Sequence, residues 1–229
     1  NKNTVVVLFA GAPIDISAWI DKVAAVVLAG FPGERGGEAV VNVLTGKVNP
    51  SGKLSETFPV RYEDTPAAKF YMDGKVTVYE EGLFVGYRYF DKYGVPVLFP
   101  FGHGLSYSEF EYKNLKTAAD GEKVTISFEL KNTSATDGKE VVQVYVSAKS
   151  SCVSRPVKEL KAFAKYFVKA GERVKTAFEL DKSVFSYWSY QGAKRELEDG
   201  IYEILVGASS ADIRLIGKIK IKNGTIKEI

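Results

Sequence analysis

The most tempting chemistry in this 229-residue sequence is the pair of adjacent carboxylates Glu80-Glu81. Two carboxyl groups can divide acid/base and nucleophilic work, provided that both face one bond. Neighbours on an extended chain point to opposite faces, so separate structural roles such as ion pairs are expected for these two. The run Gly30-Phe31-Pro32-Gly33-Glu34-Arg35-Gly36-Gly37 lies where a strand passes into a helix, a place where α/β folds cradle phosphates. It matches neither the dinucleotide fingerprint nor a GK[ST] loop, and a tight turn in which glycines permit close packing is the preferred reading. The sole histidine, His103, has no second histidine beside it, and the sole cysteine, Cys152, is distant in sequence. A zinc site is therefore not expected, and His103 reads as a packed, hydrogen-bonded side chain. Ser106 and Ser108 lack the G-x-S-x-G setting of an activated nucleophile. Arg155 to Leu160 reads as a turn carrying exposed ion pairs. Asn132-Thr133-Ser134 and Asn223-Gly224-Thr225 match the glycosylation acceptor pattern at a frequency that chance explains.

The elements around these residues change character along the chain. Val5 to Phe9 is an apolar, mostly β-branched run, predicting a strand buried on both faces. Asp15 or Ser17 can cap a short helix around Trp19 to Val23, and Ala24 to Ala29 predicts a second buried strand. A helix is predicted from about Glu38 to Leu44, stopping at Gly46. Strand, crossover, strand, glycine turn and helix imply a parallel sheet. So few elements leave its faces and edges uncovered, and the missing strands are expected from earlier sequence or another chain. Asn49-Pro50-Ser51-Gly52 is a turn cluster, and Lys53 to Phe58 can form a short strand. Tyr79 to Tyr107 is irregular and aromatic, reading as an ordered connector. From about Phe110 the pattern becomes all-β: strands are predicted at 124–130, 140–147, near 161–168, and at 174–180, 200–207 and 213–221. Their alternation predicts an antiparallel sandwich of about seven strands. The fold class is therefore a partial α/β unit followed by an all-β, immunoglobulin-like sandwich. The expected division is 1–78 for the α/β part, 79–109 for the connector, 110–222 for the sandwich and 223–229 for a tail.

Composition sets the outer bounds. The 31 basic and 28 acidic residues are interspersed and leave a net charge of only +3, so nucleic acid is not an expected partner. No apolar run approaches the roughly 18 residues that span a bilayer, and no membrane partner is expected. One cysteine excludes an internal disulfide framework and leans towards a reducing, cytoplasmic compartment, while secretion stays open. The opening Asn1-Lys2-Asn3-Thr4, without an initiator Met, is expected of the interior of a longer polypeptide. By themselves these residues assemble no active site.

Several stretches together carry a resemblance. Phe31 to Ala39, then Val43-Leu44-Thr45-Gly46-Lys47-Val48-Asn49-Pro50-Ser51-Gly52-Lys53-Leu54, is similar to a signature of glycoside hydrolase family 3, the family of many β-glucosidases and β-xylosidases. Thr4 to Asp15, Tyr79 to Asp91 and Pro100 to Tyr107 resemble further segments of that family in the same order. Arg155 to Leu160, with Gly171-Glu172 and Gly207 to Ser210, resembles its fibronectin type III-like domain. The resemblance implies a retaining β-glycosidase whose Asp nucleophile comes from a barrel domain and whose Glu acid/base comes from the α/β sandwich domain. Such carboxyl groups stand about 5–5.5 Å apart. Neither maps onto this sequence, so no catalytic, cofactor-binding or metal-binding residue is assigned, and Glu34, Glu80 and Glu81 fall in structural motifs. The implied partners are a carbohydrate substrate and the remainder of the same enzyme, whether in one polypeptide, as a companion chain or in rearranged domain order; a homo-oligomer is left open. The alternative is a non-catalytic carbohydrate-binding or structural module.

Overall fold

In a computed structural model the described residues are 1–71, 76 and 78–229. The chain divides into two compact units, Asn1–Tyr107 and Ser108–Ile229.

The first unit begins with β1 (Val5–Leu8) and β2 (Ala25–Leu28), paired parallel with Val5 opposite Ala25 and Leu28 opposite Leu8. The two are linked through a single 3-10 turn, Ile20–Lys22, where a short helix is predicted. Asp15 does not cap that turn; its Oδ1 accepts from the Ser17 amide and hydroxyl, closing a local turn instead. The strands are only half-buried rather than covered on both faces, because two strands and one short helix supply too little apolar surface to cover them. Helix α1 (Gly36–Leu44) follows the glycine turn, and α1 has no side-chain cap at its start.

The aromatic stretch is more regular than its sequence suggests. β3 (Phe58–Pro59) pairs antiparallel with β4 (Val97–Phe99), and between them lies helix α2 (Tyr87–Tyr93), which the connector reading did not anticipate. Tyr87, Tyr89, Phe90 and Tyr93 give α2 an aromatic surface whose stacking hides the usual apolar period: Tyr87 stacks on Phe101 at 4.8 Å and Tyr89 meets Tyr93 at 5.0 Å. The turn cluster at Asn49–Gly52 is zipped to the segment around His103. Asn49 Oδ1 accepts from Ser106 Oγ and the Tyr107 amide, both at 2.9 Å. Leu54 N donates to His103 O at 2.7 Å, and Gly102 N donates to Leu54 O at 2.8 Å. Gly104 packs directly against the Gly52 carbonyl, where any β-carbon would collide with that oxygen.

The second unit is a sandwich of two antiparallel sheets. Its strands are β5 (Phe110–Ala119), β6 (Lys123–Asn132), β7 (Gly138–Ala148), β8 (Glu159–Val168) and β9 (Arg173–Asp181). They continue with β10 (Tyr187–Ser189), β11 (Lys194–Glu196), β12 (Gly200–Gly207), β13 (Ile213–Lys222) and β14 (Thr225–Glu228). One sheet runs β5-β6-β9, the other β14-β13-β12-β7-β8, and β10-β11 is a separate hairpin. Strict alternation builds the core: β6 turns Val124, Ile126, Phe128 and Leu130 inward, towards Val142, Val144 and Val146 of β7 and Tyr202, Ile204 and Val206 of β12. Residues 223–229, set outside the sandwich as a tail, carry β14. Asn223 and Gly224, both at positive φ, make a two-residue turn that returns the chain onto β13, and Ile226 is buried in the core.

Candidate functional site

Each residue singled out for chemistry has a structural position. Glu34 and Glu80 are exposed and Glu81 is half-buried. Glu80 and Glu81 lie in a turn rather than on extended chain, since Phe84 N donates to Glu81 O at 2.9 Å. Neither glutamate forms an ion pair among the described residues. The glycine run serves packing: Gly36 is buried, and a β-carbon there would stand 2.5 Å from Pro32 Cγ. Arg35 pairs with Glu38 across the first turn of α1. His103 is half-buried and stacks on Phe99 at 5.1 Å. Ser106 Oγ donates to Asn49 Oδ1 at 2.9 Å, and Ser108 Oγ donates to the Thr136 carbonyl at 2.8 Å. No group of three or more metal-ligating side chains occurs among the described residues.

Two further positions are fixed by their surroundings. Asn132, one acceptor-pattern asparagine, is fully buried; its amide donates to Thr136 O and Val168 O while its Oδ1 accepts from Ser134 N. Arg155 is not on an exposed turn. Its side chain is only 9% exposed and sits 3.6 Å from Glu159 and 3.7 Å from Glu198. The guanidinium donates to Phe185 O at 3.1 Å and lies about 6 Å from the rings of Tyr187 and Tyr202. Burial would raise the Glu198 carboxyl, but hydrogen bonds from Cys152 and Ser151, with Arg155 nearby, hold it below the ordinary carboxylate value. The charges of residues 155–160 were visible in sequence; their convergence with Tyr187 and Glu198 was not.

A second cluster ties the sheets together. Tyr112 hydroxyl donates to Glu140 Oε1 at 2.9 Å with both residues buried, and Arg214 lies 4.8 Å above the Tyr112 ring. Burial and then the Glu140 charge push the Tyr112 phenol well above its ordinary value, so it stays a neutral donor. Arg214 also pairs with Asp212 at 2.7 Å and donates to Phe110 O. Both clusters have the geometry of braces, in which each charged group meets a fixed partner.

The first unit carries one sizeable cavity, about 700 Å³, lined by Ile14, Thr57, Tyr62, Val85, Phe90 and Phe101 among others. Its walls are mainly apolar, and the acidic groups Asp15 and Glu56 stand at it.

A parallel strand pair with one short helix, followed by a fibronectin-like sandwich, is the architecture that the described residues define. The family profile described as "Glycosyl hydrolase family 3 C-terminal domain" matches residues 1–107, and that described as "Fibronectin type III-like domain" matches residues 140–210. The chain belongs to glycosyl hydrolase family 3, as its C-terminal region. Thermostable beta-glucosidase B of Acetivibrio thermocellus is 45% identical over 230 residues, covering 98% of this chain and 30% of that protein. An exo-alpha-(1->6)-L-arabinopyranosidase of Bifidobacterium longum is 42% identical over 216 residues, covering 93% of this chain and 28% of that protein. Among solved structures, the GH3 beta-glucosidase of Bifidobacterium adolescentis superposes with a TM-score of 0.93 at 39% identity, over 96% of this chain and 33% of that one. The beta-glucosidase of Kluyveromyces marxianus gives 0.94 at 40% identity, over 97% and 27%. The chain thus spans about 30% of the length of the first relative.

Proposed function

We propose that this chain is the C-terminal region of a retaining β-glycosidase, foremost a β-glucosidase that releases terminal β-linked glucose. The observation that carries this is the 45% identity to a β-glucosidase across 98% of the chain. In this reading the nucleophile and the acid/base lie outside the chain, in a barrel domain and an upstream sandwich segment. Residues 1–78 complete the α/β domain, 79–109 connect and 110–222 form the fibronectin-like domain. The region's work is mechanical: the Asn49–Ser106 zipper holds the first unit's turns in place, and within the sandwich the Arg155 clamp and the Tyr112–Glu140 pair do the same. The test is hydrolysis of p-nitrophenyl β-glucoside by the complete protein and by the 229-residue chain alone. Turnover is expected only for the complete protein, and turnover by the chain alone would overturn the assignment.

The arabinopyranosidase relative, nearly as similar as the glucosidase, favours a second reading of substrate. Two relatives with different sugars in their names share this region almost equally, so it does not select the sugar. Running p-nitrophenyl α-L-arabinopyranoside beside the glucoside separates the two.

A further inference from the structure

Strands β10 and β11 form a hairpin outside both sheets of the sandwich, and its tip carries two aromatic rings that the core does not use. Trp188 is 54% and Tyr190 87% exposed, and among the described residues neither side chain makes a ring contact or a hydrogen bond. Alternation puts Trp188 on the face away from Tyr187, with Arg195 directly opposite it across the ladder. Tyr190 follows two residues on, where the turn opens. Arg195 is exposed and has no ion pair among the described residues. The support beneath is fixed: Tyr187 Oη donates to Glu196 Oε2 at 3.0 Å, the Arg155 guanidinium stands 5.9 Å from the Tyr187 ring, and the Gly192 amide donates to Ser189 Oγ at 3.2 Å. Trp and Tyr on such a backbone bind at small entropic cost, since each has few side-chain torsions to order.

The chemistry of the tip selects its ligand. Lys194 and Arg195 are offset by Glu196, Glu198 and Asp199, so the tip has no surplus positive charge to gather a nucleic acid or an anionic membrane. Two rings offer roughly 300–500 Å² of contact. A standard protein interface takes about 800 Å² from each partner, so a second copy or another protein finds too little here. Apolar rings beside an unpaired guanidinium and the exposed amide of Gln191 suit a flat, neutral, polyhydroxylated ligand. A β-linked glucose unit has that form: its equatorial hydroxyls reach sideways and leave axial C–H faces for the rings. We propose that Trp188, Tyr190 and Arg195 form a docking platform for a neutral β-glucan chain. The proposal rests on the glycosidase reading above and deepens it by giving that enzyme a polymeric substrate.

The experiment measures retention of the complete protein on insoluble cellulose and on curdlan, for the unaltered enzyme and for Trp188→Ala combined with Tyr190→Ala. Trp188→Phe and Arg195→Gln accompany it. Expected are at least fivefold less retention of the double variant, a smaller loss for Arg195→Gln and near-normal retention of Trp188→Phe. Melting temperature and hydrolysis of p-nitrophenyl β-glucoside are expected to stay unchanged throughout, because the altered side chains are exposed. Ring-dependent retention on either polymer supports the platform and names the linkage it takes. No retention of the unaltered protein, or equal retention of the double variant, overturns the platform even if the glucoside is hydrolysed. A lowered melting temperature of the double variant shows the rings packed within the enzyme and overturns it too. Stronger retention on an acidic polymer such as pectate overturns the choice of ligand. Ring-dependent retention of a complete protein that cleaves no glycoside keeps the platform and sinks the glycosidase reading.

Discussion

At the scale of single residues, the charges in this chain act by holding places. Arg155 meets Glu159 and Glu198 at once, so Arg155→Met removes one partner from each of two half-buried carboxylates and should cost about 1–3 kcal/mol, read as a lowered denaturation midpoint of the sandwich. Arg155→Lys should recover little of that, since a point charge cannot meet two carboxylates and a carbonyl in one plane. Glu198 has its carboxyl lowered in the folded state, so its contribution is present above the unfolded value and fades as pH falls through the folded one. Tyr112 behaves oppositely. Its phenol stays protonated when folded but ionises near pH 10 when unfolded, so the folded state loses ground as pH rises beyond about 10. Thermal melts between pH 9 and 11 should show that decline, and Tyr112→Phe should flatten it while costing about 1–2 kcal/mol at neutral pH through loss of the hydroxyl's bond to Glu140. Glu81 is half-buried in a turn with no ion pair among the described residues. Glu81→Ala in the complete enzyme should therefore leave the acid limb of the pH–rate profile in place, and loss of that limb at an unchanged melting temperature would make it catalytic.

At the scale of elements, two features join distant sequence. The zipper between residues 49–54 and 102–107 needs Gly104, because a side chain there meets the Gly52 carbonyl. Gly104→Ala should destabilise the first unit by about 2 kcal/mol, measurable as faster exchange of the Leu54 and Tyr107 amides. Strand β14 was legible in principle, since Asn223-Gly224 between alternating apolar residues is the strongest short hairpin signal. Reading it as an acceptor pattern concealed the strand. Truncation after Lys222 should cost about 2–3 kcal/mol by exposing Ile226 and the β13 edge, visible in the melting temperature. Helix α2 was hidden for another reason: it spans only seven residues, too short for a helical period to stand out in an aromatic-rich stretch.

At the scale of the molecule, the two units differ in how much of their stability is their own. The sandwich encloses a continuous core drawn from both sheets, whereas the first unit buries three large apolar residues among those described. Residues 108–229 expressed alone should melt cooperatively, while residues 1–107 alone should bind a hydrophobic dye such as ANS. The alternating strands and the parallel pair were determined by the sequence itself. Period two and β-branched runs act locally, and they need no partner to be read. The sequence also carried the family motifs in order. Only the tertiary structure decided what those motifs do: that Asn49 grips Ser106 across 57 positions, and that the Arg155 guanidinium lies about 6 Å from two tyrosine rings. Those facts depend on which segments meet in space, and close packing settles that globally rather than residue by residue.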